Sequence, residues 1–471
     1  MTLVAGIDSS TQSTKIVVCD ADDGTVVRQA SAQHPSGTEV EPEAWWTALE
    51  TAASGNLLDG VSAISVAGQQ HGMVILDDDG EVVRPALLWN DVRSASASRE
   101  LISELGGESA WADAVGSVPI AAFTISKLRW LARHEPSSAS RVASVVLPHD
   151  WLTWRLLGGR AAGAEALVTD RGDASGTGYF SPASDSWRYD LLELSLGRSA
   201  RLPRIASPSE VVGEARCLAP GITVGPGTGD NMAAALGLGM QPGDVVVSLG
   251  TSGTIYQVSS VPVADPSGQV AGFADATGHF LPLVCTLNAT RVLSSIAALL
   301  GVDAAGLDAL AQAAPAGAGG LTLLPFFDGE RTPNLPDARG LLAGITRENL
   351  SAAHLARAAV EGVLCSLAAG LEALENLGLV PTRGLLIGGG ARSTAVEAIA
   401  PSLFGFPFEL PNPSVEWVAQ GAARQAAWAL TGGAEPPSWP VRTRRLVGQD
   451  DAVVVAKYRQ LLSAALPALG S

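Results

Sequence analysis

Val4-Ala5-Gly6-Ile7-Asp8, then Ser10-Thr11-Gln12-Ser13-Thr14-Lys15, then Ile16-Val17-Val18: this stretch returns past the middle of the chain and decides the fold. The second copy reads Val245-Val246-Val247-Ser248, Gly250-Thr251-Ser252-Gly253-Thr254, Ile255-Tyr256. At an offset of 240 positions Thr11 falls on Thr251 and Thr14 on Thr254, each lying between apolar runs that read as strands. A strand, a tight turn of hydroxyl and glycyl residues, and a second strand form a hairpin able to aim backbone N–H groups at phosphate. One such hairpin is most often a plain β-turn. Two at matched spacing imply two similar halves facing one nucleotide. The copies differ at one telling place: Asp8 in the first is Ser248 in the second, so one half keeps a carboxylate beside the phosphates.

A chain of 471 residues exceeds what one core usually organises, so two domains are expected. The restart of the repeat puts their junction near residue 238, giving 1–237 and 238–471. A hydrophobic content of 47% is enough for both to bury a core. The net charge of −17 argues against a nucleic-acid partner. It also makes an anionic nucleotide an awkward ligand unless local N–H groups and a metal overcome the field. Cys19, Cys217, Cys285 and Cys365 are scattered without a C-x-x-C pair, as in reduced cytosolic proteins. No basic leader opens the chain and no run of ~20 apolar residues occurs, so a cytoplasmic protein with no membrane partner is expected. Of 30 basic residues only Lys15, Lys127 and Lys457 are lysine, and the first two lie in segments singled out on other grounds.

Strand-like and helix-like segments alternate. Ile64 to Ala67, Val74 to Leu76, Leu87 to Trp89 and Leu385 to Ile387 read as strands. Ile125 to Arg133, Ala233 to Met240 and Ala395 to Leu403 read as helices. Segment 262–320 is loop-like and rich in small residues, with no clear periodicity.

Three constellations carry polar chemistry. Gly225-Pro226-Gly227-Thr228-Gly229-Asp230-Asn231 opens into the Ala-rich helix, and its glycines allow close backbone approach. Asp230 there is either a helix N-cap or a well-held base. Gln69-Gln70-His71-Gly72 and Trp89-Asn90-Asp91-Val92-Arg93 each follow a strand, where α/β sheets bind ligands. Amide, imidazole and indole suit the hydroxyls and faces of a sugar, although a lone His or Trp is as often structural. Gly388-Gly389-Gly390-Ala391-Arg392-Ser393, between a strand and a helix, suits packing on an adenine and its ribose. G-x-G-x-x-G spacing and the P-loop pattern are both absent, which disfavours Rossmann and Walker sites.

These motifs resemble the FGGY carbohydrate kinases, within the actin/hexokinase/Hsp70 superfamily, over nearly the whole chain. The likeness takes in Gly6-Ile7-Asp8 with Thr11 and Lys15, Gly68 to Gly72, Leu88 to Asp91, Leu147 to Leu152, and Thr169-Asp170 with Asp173 to Thr177. It continues through Gly229-Asp230-Asn231, Ser248 to Gly253, Gly329 to Pro333 and Ile387 to Arg392. Both family signatures are identifiable, the first over Phe123-Thr124, Lys127-Leu128, Trp130-Leu131 and Arg133-His134, the second from Gly340 to Glu361. Ser10 stands where Gly is typical, and Gln70 where a well-known pattern has Met before the His.

The resemblance implies a two-domain α/β fold of the ribonuclease H-like type with a central inter-domain cleft. It implies ATP and Mg²⁺ as cofactors and Asp230 as catalytic base. Gln70, His71, Trp89 and Asn231 would meet the sugar. Asp8, Thr11, Lys15, Gly250, Thr251, Gly388, Gly389 and Ser393 would meet ATP, with Asp8 also near the metal. The implied reaction is ATP-dependent phosphorylation of a sugar or polyol, with D-xylulose attacking through O5 ahead of ribulose, fuculose, gluconate or glycerol. A non-catalytic ATP switch is the third reading, disfavoured by Asp230 and the loops around 70 and 89. The resemblance also allows a homodimer.

Overall fold

The computed structural model describes residues 1–448 and 451–469. Two compact units share the chain: one holds Met1–Met240, Ser260–Leu281 and Val415–Val441, the other Gln241–Ser259, Pro282–Ser414 and Arg442–Ser471. A single junction near 238 therefore describes only the first crossing. The chain returns to the first unit twice, because a strand and a helix from the later half complete its packing.

In the first unit, Leu3–Ser9 pairs antiparallel with Ser13–Asp20 and parallel with Val61–Gly68. The sheet continues through Val26–Gln33 on one side and Thr223–Val224 on the other. Val4, Ala5 and Ile7 are fully buried, as a strand covered on both faces requires. One covering element is the helix Trp417–Thr431, which lies so near that a Cβ on Gly6 would stand 1.9 Å from the Ala419 carbonyl oxygen. The glycine of Gly6-Ile7-Asp8 is thus demanded by a helix that follows it by some 400 residues.

The second unit repeats the device. Asp244–Leu249 pairs antiparallel with Gly253–Gln257 and parallel with Arg383–Ile387. The repeat is imperfect at the turn: Ser9 pairs with Thr14 across four residues, whereas Leu249 pairs with Gly253 across three. Thr14 therefore corresponds structurally to Gly253 rather than to Thr254. Asp8 and Ser248 remain equivalent, opposite Ala67 and Ile387 on the parallel neighbour.

Other elements shift modestly. The acidic turn helix begins at Asp230 and ends at Gly237. The helix expected over 395–403 is two, Thr394–Ile399 and Pro401–Phe404, because Pro401 cannot continue the first. Leu88 and Trp89 leave the strand, which is only Ala86–Leu87. The segment without periodicity contains the strands Ala271–Ala274 and Phe280–Thr286 and the helices Thr290–Leu300 and Ala304–Ala313. Among the described residues no single helix is long and apolar enough to cross a membrane.

Candidate active site

Register alone brings the acidic residues of the first unit together. Asp8 lies opposite Ala67, and Thr228–Gly229 joins the far side of the same strand opposite Ala67 and Gly68. Asp8, Gln69–Gln70 and Asp230 thus leave one sheet end on three adjacent strands, with the outer two about 10 Å apart by ordinary strand spacing. This is the carboxyl end of the parallel strands, where α/β sheets bind ligands.

Asp230 is the first residue of its helix, and Gly229 holds the cap position. Its Oδ1 accepts from the Asn231 backbone N–H (2.8 Å) and from Asn231 Nδ2 (2.9 Å). Asn231 Nδ2 also reaches Gln70 Oε1 (3.0 Å), which ties the acid to the strand-end loop. Burial first, and the charge of Asp8 second, push the Asp230 carboxyl up to about 7, against the pull of the Asn231 hydrogen bonds. A carboxylate poised there is well matched to taking a proton near neutrality.

The turn before Asp230 is fastened from beneath. Gln425, fully buried on the helix Trp417–Thr431, donates to the Gly227 carbonyl and accepts from Ser65. Thr228 donates to Asp170 (2.7 Å), whose carboxylate also caps the short helix Arg171–Ala174. Gly227 has φ +81 and sits where a Cβ would meet His149 at 2.4 Å, so both conformation and space select glycine. His149 itself is fully buried with Nδ1 2.6 Å from Asp173 and Nε2 3.2 Å from Asp150. Burial alone would push its imidazolium down, but Asp150, Asp173 and Asp170 together lift it to about 9.

Asp8 is buried and accepts a short hydrogen bond from Ser10, the residue that stands in place of the usual glycine. Burial raises its carboxyl to about 6, opposed by Ser10 and Lys15. Lys15 is paired with Glu416 at 2.6 Å, so its ammonium is engaged by a residue far along the chain. Thr11 also has its hydroxyl in use: it accepts from Trp89 Nε1 (2.8 Å) and donates to Gln69 Oε1 (3.3 Å). The Thr11 hydroxyl is thus engaged within the protein on both sides.

His71 adopts φ 67, outside the regions L-residues favour. Its Nδ1 meets the Gly176 carbonyl at 2.6 Å, and its ring stacks on Phe123 and leans on Phe273. Gln69 Nε2, Gln70 Nε2 and Asn90 Oδ1 are buried without a hydrogen-bond partner. Such groups are costly unless a ligand satisfies them. Two donors and an acceptor left over around Asp230, Asn231 and Trp89 describe a place for a polyhydroxy compound. Asp91 and Arg93 serve otherwise: Arg93 pairs with Asp91 (2.9 Å) and Glu39 (2.7 Å) and lies over Trp130, fixing the loop that carries Trp89.

In the second unit Gly250 closes its turn on Ser252, and its carbonyl accepts from the N–H and hydroxyl of Thr290 at a helix start. Gly388, at φ +88, packs against Leu249, while a Cβ on Gly389 would meet nothing within 4 Å. The glycine run therefore presents one bare face, as contact with a planar base requires. Ser393 is committed to capping Thr394–Ile399 and to Asp308 (2.6 Å), which leaves its side chain structural.

Gln69, Ser10, Glu416 and Phe273 touch the expected site residues without being among them. Gln69 and Ser10 were in view, flanking chosen residues. Glu416 and Phe273 had no local signal, since each meets the site only through the fold.

The N-terminal-domain profile of the FGGY family of carbohydrate kinases matches residues 3–237, and its C-terminal-domain profile matches 245–430. A xylulose kinase of Streptomyces coelicolor is 49% identical over 442 residues, covering 91% of this chain and 88% of its own. One from Haemophilus influenzae is 33% identical over 454 residues, covering 90% of each. The crystal structure of xylulose kinase from Bifidobacterium adolescentis superposes with a TM-score of 0.91 at 45% identity, over 98% of this chain and 99% of that one.

Proposed function

Because the chain belongs to the FGGY family of carbohydrate kinases, we propose that it transfers the terminal phosphoryl group of ATP to O5 of D-xylulose. The observation that carries the reading is the Gln70–Asn231–Asp230 network. It joins a carboxyl lifted to about 7 to buried amide groups with unspent hydrogen bonds. Similarity to xylulose kinases over nearly the whole chain supports the choice of sugar.

Asp230 accepts the proton of the attacking hydroxyl, a contribution of about 10²–10⁴ in rate. Gln70, His71 and Asn231 pair with the hydroxyls and keto oxygen, and Trp89 supplies an apolar face. Thr11 in its turn, and Gly250 and Thr251 in theirs, offer backbone N–H groups to phosphate. Gly388 and Gly389 lie against the adenosine. Phosphoryl transfer has a loose transition state, so placement and charge neutralisation supply most of the catalysis.

Asp8 is the residue fit to hold Mg²⁺: burial raises its carboxyl to about 6, and a cation beside it would favour the ionised form. A single carboxylate such as Asp8 would suffice on the protein side, since Mg²⁺ sites of this kind need few protein ligands. Among the described residues no cluster of three His, Cys, Asp or Glu side chains would compete for it. When bound it would neutralise charge on the phosphates.

The test is ADP release with D-xylulose, D-ribulose, glycerol and D-gluconate under the same Mg·ATP conditions. D-xylulose gives the highest kcat/KM, because a shorter acceptor leaves buried amides unpaired and neither Gln69–Gly72 nor Gly229–Asn231 offers an arginine to a carboxylate. A lead for glycerol or gluconate would leave only the broader sugar-kinase assignment.

A further inference from the structure

Lys127 is a fully buried lysine that the reaction as described does not use. It lies on the helix Thr124–His134, and its Nζ donates to the His71 carbonyl oxygen at 2.8 Å and, over a short contact, to that of Ala122. Thr124 Oγ1 donates to the same His71 oxygen at 3.2 Å. Among the described residues no carboxylate lies within ion-pair distance of this ammonium; Asp91 acts on it only from farther away. Burial pushes the Lys127 amine down to about 7 against the distant pull of Asp91, so holding a proton on two neutral carbonyls is costly, and an apolar side chain of the same length would fill the space at no such cost.

The expense has a counterpart in the residue that is gripped. His71 holds a left-handed backbone, which is strained for an L-residue and persists only where the surroundings over-determine it. The gripped carbonyl belongs to the peptide joining His71 to Gly72, and the His71 ring just before it is stacked on Phe123, while Gln70 upstream is bonded to Asn231. Phe123, Thr124 and Lys127 belong to one helix start, so a single element grips the carbonyl and walls the ring.

We propose that Lys127 is a positioning residue for sugar recognition: by clamping the His71 carbonyl it holds residue 71 left-handed and so aims the His71 side chain at the sugar. This rests on the assignment of the 69–72 loop to the sugar.

The experiment is a double-mutant cycle of Lys127→Met and His71→Ala, with KM for D-xylulose and for ATP measured on each protein. His71→Ala alone tests the assignment, and it raises the sugar KM. Lys127→Met raises the sugar KM at least tenfold and leaves the ATP KM within twofold. In the His71→Ala background the same change adds less than threefold, because the imidazole it would misplace is gone. A merely structural lysine would lower the folded fraction and apparent kcat and move neither KM. That result, or fully multiplicative effects, overturns the proposal. If His71→Ala shifts the ATP KM instead, the loop assignment falls and the proposal with it. Should Lys127→Met not fold, Lys127→Gln, which keeps one N–H donor, is put through the same cycle and read by the same criteria.

Discussion

Asp230→Asn separates chemistry from folding. The amide keeps one oxygen to accept from the Asn231 backbone and Nδ2, so the helix start and the link to Gln70 survive. It cannot take a proton, and kcat falls by about 10²–10⁴. In the parent enzyme the base is competent only when ionised. With its carboxyl near 7, activity at pH 6 is about a tenth of the plateau above pH 8. Stability moves the opposite way. An Asp whose folded pKa is raised binds its proton more tightly in the native state, so stability falls as pH rises from about 3.8 to about 7. The gap between those values caps the penalty at roughly 4 kcal/mol. Partial solvent access leaves on the order of 1–2 kcal/mol. Asn removes it, so the variant melts about 2–6 °C higher than the parent at pH 8, a gain that shrinks toward pH 4. Steady-state kinetics and thermal melts at pH 5, 6, 7 and 8 check both halves. Retention of more than about a tenth of kcat refutes the general base, and a lower melting temperature at pH 8 refutes the account of the raised carboxyl.

Asp8→Asn raises the Mg²⁺ concentration for half-maximal rate and lowers kcat with little change in sugar KM; an unchanged Mg²⁺ titration removes Asp8 from the metal. His149→Ala leaves Asp150, Asp173 and Asp170 buried without their cation and costs about 3–5 kcal/mol in denaturant unfolding, whereas an unchanged midpoint would show the cluster holds no charge. Gly421→Ala would put a Cβ 1.7 Å from the Ala233 carbonyl, forcing apart the helices that carry Gln425 and Asp230. Its stability falls by about 1–3 kcal/mol and kcat by up to about 10², and parent-like kinetics would show that the helix contact does not set the acid.

Much of this was legible from short segments. The hairpin of Asp8 and that of Ser248 announce themselves because alternating structure and turn chemistry are written in neighbouring residues. Asp230 at a helix mouth after glycines, and amides after a strand, are local patterns too. The turn lengths were not legible, since four residues across Ser9/Thr14 and three across Leu249/Gly253 depend on register. Nor was the use of each side chain: Ser393 and Arg93 look equally free in sequence and are both committed in the fold.

By itself the sequence determined the class of fold, the doubling of the hairpin and the family, and it singled out Asp230 as the candidate base. Only the tertiary structure decided that Lys15 would meet Glu416, that Phe273 would wall His71, and that Gly6 would be pressed by Ala419. It also decided that a buried lysine would grip the His71 carbonyl. The physical reason is range. Propensity and turn chemistry act over a few residues, whereas burial raises a carboxyl, strands a charge or excludes a Cβ through atoms that chain topology brings from hundreds of residues away.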